Sequence, residues 1–200
     1  MLNSNYTNGT SYQFHDKCCC DDKILNIVGV YPESKIEKVL QCPCPEDKNK
    51  WTEFFVSETV DIPSQKPNIE DIVEVHSCVD IISQRVIKTP LVNGYNSCNG
   101  YYIPGETIPN GECTNLTGKK LIIEGLLRQK IIYTAALGEQ SVHSADFNIP
   151  FSVFIIIEKN TPLYQQFKIT AYIEDIYACV LSERSVFKNT TIFIKASKIC

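Results

Sequence analysis

From Trp51 onward, apolar residues recur at nearly every second position, and this alternation limits the fold more than any other feature of the chain. A period of two gives a segment one face for a core and one for solvent, which is the geometry of a half-buried β-strand and not of a helix. Glu53 to Val60 is rich in β-formers, and from Ile72 to Lys88 the residues Val73, Val75, Val79 and Ile81 alternate with Glu74, His76 and Asp80, as in a long strand or hairpin. Leu121 to Tyr133 follows with an interruption at Gly125. A turn at Gly138-Glu139 precedes Val142 to Phe147 and Phe151 to Glu158. Between Phe167 and Val186 the apolar parity changes: Ile169, Ala171 and Ile173 lie on one face, Ile176, Ala178 and Val180 on the other. One extra residue in a strand produces that change, so a β-bulge is predicted near Glu174–Asp175. Asn189 to Ser197 forms the last strand. The pattern predicts an all-β fold, a β-sandwich or open barrel of about 7–9 strands.

Helical signals are few. Glu33 to Leu40 fits two turns, and Lys66 to Val73 fits a short helix capped by Asn68. Residues 1–20 form a polar, Cys-bearing extended arm, residues 21–50 are transitional, and residues 51–200 are the β-domain, with a Gly- and Pro-rich loop insertion at 93–118. An apolar fraction of 44% supplies a core for one domain. The net charge of −4, without a basic block, argues against binding nucleic acid or an anionic membrane. The longest apolar run, Val153 to Ile157, falls far short of the roughly 20 residues of a membrane helix. Met1 to Thr10 lacks the basic start and apolar stretch of a secretory signal, so the sequons at Asn5, Asn8, Asn115 and Asn189 carry little weight.

Ten of the 200 residues are Cys. A chain able to build a core does not need that many to brace itself, and their positions agree. Cys18, Cys19 and Cys20 are contiguous, Cys42 and Cys44 flank Pro43, and Cys200 is terminal; only Cys78 and Cys179 fall in strand-like sequence. Neighbouring thiols on an extended arm can reach separate partners, which predicts intermolecular disulfides from Cys18, Cys19 and Cys20 to Cys42, Cys44, Cys179 or Cys200. Cys98 and Cys113 bracket the loop, and an intrachain bridge between them is worth ~3 kcal/mol in chain entropy. A zinc site from Cys18, Cys20, Cys42 and Cys44 has atypical spacing, so no metal or other cofactor is expected. Tyr6, Tyr12 and Phe14 give the arm rings with which to dock on a neighbour.

No catalytic pattern stands out. His15, His76 and His143 are scattered; His76 and Cys78 share a strand face, but no orienting group is implied by spacing, and no activity is expected. Glu174 and Asp175 are adjacent and point to opposite faces of a strand, which excludes a carboxylate pair.

From Trp51 the chain carries Trp51, Phe55-Val-Ser-Glu-Thr-Val60, Ile62-Pro-Ser-Gln-Lys-Pro-Asn-Ile-Glu-Asp-Ile72, Ile123-Glu-Gly-Leu126, Ile132-Tyr-Thr-Ala135, Pro150-Phe151 with Phe154, and Ile173-Glu-Asp-Ile176. With these elements the stretch resembles the SPOCS domain of spore-forming Firmicutes. The resemblance implies a β-rich module of spore morphogenesis and coat-associated proteins. This chain lacks a LysM-like segment found with that module and adds the Cys-rich arm and the 93–118 insertion, which favours a subunit that assembles with itself over an adaptor. The expectation is a self-assembling structural subunit of the spore surface (coat, exosporium lattice or fibrous appendage), made in the mother-cell cytoplasm and cross-linked on lysis. Its partners would be its own copies and other coat proteins. The alternative is a monomeric module that binds carbohydrate or a coat protein through loop 93–118, with Tyr95, Tyr101 and Tyr102 as stacking residues.

Overall fold

Two sheets face each other because each strand from Trp51 presents an apolar row that can be buried only against another sheet. The computed structural model describes residues 25–41, 50–91, 93–95, 102–104 and 117–199. Its elements are β1 (Asn26–Val28), α1 (Glu33–Leu40), β2 (Trp51–Asp61), β3 (Ile69–Leu91), β4 (Asn93–Tyr95), β5 (Tyr102–Pro104), β6 (Thr117–Ala135), β7 (Val142–Ile156), β8 (Phe167–Ser182) and β9 (Ser185–Lys198). A four-stranded sheet has the order β1-β3-β6-β7 and a three-stranded sheet the order β2-β9-β8. All neighbours are antiparallel except β1 and β3. The fold is an all-β sandwich, as the alternation predicts. Within the insertion, β4 and β5 pair as a separate small ribbon, and Thr117 and Gly118 already belong to β6.

The core lies between the sheets in two clusters. The larger joins Val75, Leu121, Ile123, Leu127 and Ile155 of one sheet to Phe167, Ile173, Ile176, Ile192 and Ile194 of the other. The smaller holds Ile62, Ile69, Ile131, Tyr133, Ala145 and Val186. Helix α1 forms where Glu33 to Leu40 was expected to, and it lies over the outer face of the three-stranded sheet: Ile36 is buried, and Lys195 of β9 donates from Nζ to the Val39 carbonyl.

The predicted bulge is present. Pairing of β8 with β9 slips between Ile173 and Asp175, leaving Glu174 as the extra residue. Burial, reinforced by the Glu53 carboxylate, raises the Glu174 pKa above 4.5. A raised carboxyl pKa means that the folded chain holds this proton more tightly, so Glu174 disfavours folding once the pH climbs above its usual range. Glu174→Gln is therefore expected to raise Tm at neutral pH and to leave it unchanged well below pH 4.5. The gain should stay under about 1 kcal/mol, because solvent screens this part-exposed group. Thermal melts across the acid range check it.

Three sequence expectations need correction. Lys66 to Val73 is not a helix: it is a tight loop running into β3 at Ile69. The cause is Arg184, in the β8–β9 turn, whose guanidinium donates to the carbonyls of Ile62, Pro63 and Lys66 and to the Asn68 side chain. Asn68 itself donates to Glu183 at 2.7 Å. Arg184 thus takes the Lys66 carbonyl, which a first helical turn would need, and from Ile69 onward the backbone pairs with β6 instead. Gly125 and Pro150 do not break their strands, since β6 and β7 run through them. Finally, Phe167 to Val186 is not one segment; it turns at Glu183-Arg184, and β9 starts at Ser185.

Candidate functional site

The alternation places five polar side chains in the middle of the sandwich, Glu58, Ser77, Gln129, Lys188 and Thr190, and they meet between the two apolar clusters. In register, Ser77 of β3 sits opposite Gln129 of β6, and Glu58 of β2 opposite Lys188 of β9. The two pairs join across the core. Lys188 Nζ lies 2.9 Å from Glu58 Oε1 and 2.5 Å from Gln129 Oε1. The Gln129 Nε2 donates to Ser77 Oγ at 3.0 Å and to Thr190 Oγ1 at 2.9 Å. The Phe147 ring lies 4.7 Å from the ammonium. Lys188 and Thr190 are fully buried and Gln129 is 3% exposed. Burial pushes the Lys188 pKa down, against the opposing pull of Glu58. A chain of hydrogen bonds thus crosses from β3 to β2 through the interior, linking both sheets and separating the two clusters.

The two long sides of the sandwich differ. On the β3/β8 side, a strap from Asn26 to Tyr31 pairs first with β3, then crosses to β8 through a Val30–Ile173 bridge and a 2.9 Å bond from the Tyr31 N–H to the Ile173 carbonyl. The turn between these pairings needs Gly29, whose φ is +112° and whose missing Cβ would lie 2.0 Å from the Ser77 carbonyl oxygen. Lower on the same side, the Gln84 amide exchanges two hydrogen bonds with the backbone of Phe167, acting as a strand partner between sheets. On the other side, β7 and β2 end their sheets, and among the described residues no strand pairs with their outer edges. The Phe54 and Phe151 rings meet across that opening with centroids 5.3 Å apart. Phe55, Val142 and Phe154 are exposed along the same two strands.

Of the predicted thiols, Cys179 lies in β8 and is buried, at 7% exposure. A partner could reach it only if β8 shifted. Cys78 is exposed on β3 beside His76, whose Nε2 contacts Glu74 at 3.1 Å rather than the thiol. His143 contacts Ser141 at 3.0 Å and lies over Tyr133. Cys18, Cys19, Cys20, Cys42, Cys44, Cys98, Cys113, Cys200, Tyr6, Tyr12, Phe14, His15 and Tyr101 lie outside the described residues. No cluster of three metal-ligating side chains occurs among the described residues, and no described helix is long and apolar enough to cross a membrane.

A family model described as "SipL, SPOCS domain" matches residues 68–181, more than half of the chain. The chain belongs to this SPOCS-domain family. Family membership connects the protein with sporulation. The matched SPOCS residues run from the Asn68 loop through β3, β6, β7 and most of β8, so Ser77 and Gln129 lie inside the match and Glu58, Lys188 and Thr190 outside it. No curated protein and no solved structure matches the chain.

Proposed function

We propose that this SPOCS-domain protein is a non-catalytic structural subunit of the spore surface (coat, exosporium lattice or fibrous appendage) that assembles with its own copies and is fastened by intermolecular disulfides from Cys18, Cys19 and Cys20. The observation that carries this reading is the open side: two long edge strands, β2 and β7, have outer edges that no strand among the described residues pairs with, beside exposed Phe55 and Phe154. Such edges are templates for pairing with another chain, and soluble monomers usually blunt or cover them. Among the described residues, Cys78 and Cys179 lie in strands of the sandwich, and the contiguous Cys18, Cys19 and Cys20 offer three thiols for links between molecules from one short stretch of sequence. The subunit is made in the mother-cell cytoplasm and oxidised after lysis.

Non-reducing electrophoresis of assembled protein tests this directly. The parent chain should give a ladder of multimers that collapses on reduction, and the Cys18/Cys19/Cys20→Ser variant should lose most of it. An unchanged ladder removes the arm from the assembly. A second reading rests on the β4–β5 ribbon, which sets Tyr95 opposite Tyr102 in the ladder: a module presenting loop 93–118 to carbohydrate or a coat protein. A stable monomer on size exclusion at high concentration would favour that module.

A further inference from the structure

We propose that Lys188 and Gln129 join covalently in the folded chain, through an isopeptide bond between the two sheets formed without an added enzyme or oxidant. The reaction needs an amine held against a carboxamide, a group to take the amine's proton, and exclusion of water. All three are in place: the Lys188 amine lies 2.5 Å from Gln129 Oε1, the oxygen on the carbon it would attack, Glu58 lies 2.9 Å from the same amine, and the surroundings are buried and partly aromatic.

The steps balance without a co-reactant. Glu58 takes a proton from the Lys188 ammonium, leaving a neutral amine, the form that burial already favours. The amine nitrogen attacks Gln129 Cδ, and the Nζ–Cδ bond forms as the Cδ–Nε2 bond breaks. The nitrogen that leaves is Nε2, held between the hydroxyls of Ser77 and Thr190. It takes up the proton that Nζ gives away, by way of Glu58, and departs as ammonia. The amide C=O is kept, and Glu58 ends neutral beside the new amide, so no buried charge is left without a partner. Nothing is oxidised or reduced.

Geometry permits the bond because the partners project toward each other from β9 and β6. Facing sheets lie roughly 10 Å apart, a gap that an extended Lys–Gln link spans. The product would tie the central strand of the three-stranded sheet to the central region of the other.

The test is the intact mass of the purified full-length chain, folded, then denatured, reduced and alkylated. The expected mass is one ammonia below that of the sequence, with a proteolytic fragment containing both Gln129 and Lys188. Glu58→Gln should restore the full mass, since the proton carrier is gone. Asn-Gly pairs such as Asn8-Gly9 also lose ammonia on cyclising, so the site of loss decides. A folded parent chain at full mass overturns the proposal, as does an ammonia loss confined to Asn-Gly positions. The parent's own mass decides the matter even where a variant fails to fold.

Discussion

Lys188→Ala is expected to cost about 3–5 kcal/mol relative to the chain in which Lys188 and Gln129 are not joined, read as a lowered midpoint in urea unfolding. Removing the ammonium leaves the Glu58 carboxylate without its charge partner, frees the Gln129 oxygen, and opens a void under Phe147. Breaking a buried pair from one side is more damaging than replacing it whole, because the remaining charge stays in low dielectric. Against a typical total of about 5–15 kcal/mol, this single change brings the fold close to its limit. A triple variant, Lys188→Met with Glu58→Leu and Gln129→Leu, should recover most of the loss, because every charged or amide group of the crossing is then gone. If the single variant unfolds at the parent midpoint, the polar crossing contributes nothing and the buried ion pair has been misjudged.

Gly125→Val is expected to cost about 2–3 kcal/mol, on the scale of other overpacked cores. Gly125 lies directly opposite Phe151 in the β6–β7 ladder, and an added Cβ would come within 2.2 Å of the Phe151 ring and 2.9 Å of the Asp80 carbonyl oxygen. The missing side chain leaves room for the tip of the Phe151 ring close to the backbone. Phe151 in turn meets Phe54 of β2, so displacing it disturbs the opening between the sheets. Combined with Phe151→Ala, the valine should cost much less than alone, and a double-mutant cycle reads that coupling. Additive costs would mean that the ring is not what the glycine accommodates.

The same residues show which parts of the fold could be read from sequence. Alternation is local, so most of the strands, the all-β class and the bulge beside Glu174 follow from parity, while the choice between sandwich and open barrel does not. The failures came from partners far along the chain. Lys66 to Val73 carries a helix cap in Asn68, yet Arg184, 118 residues beyond Lys66 in the chain, takes the Lys66 carbonyl, and β6 pairs with the segment from Ile69. Gly125 reads as a break until Phe151 is seen to fill its missing side chain. Pro150 reads as another, but β7 is an edge strand, where a missing donor is tolerated. The polar crossing was the largest omission. Lys188 shares its parity with Val186, Ile192 and Ile194, and a lysine on an inward row was the available sign. A last strand counted from Asn189 leaves Lys188 outside it, whereas β9 starts at Ser185 and includes it. Its partners Glu58 and Gln129 lie on separate strands, and no spacing rule connects them.

The strap at Asn26 to Tyr31 has a mechanical meaning. Tension carried by the polypeptide ahead of residue 25 would enter the domain there and be shared at once between β3 and β8. A pull along the β1 axis opposes its three pairs with β3 together, in shear, and does not peel them apart one by one. A tether anchored this way would draw both layers in the same direction.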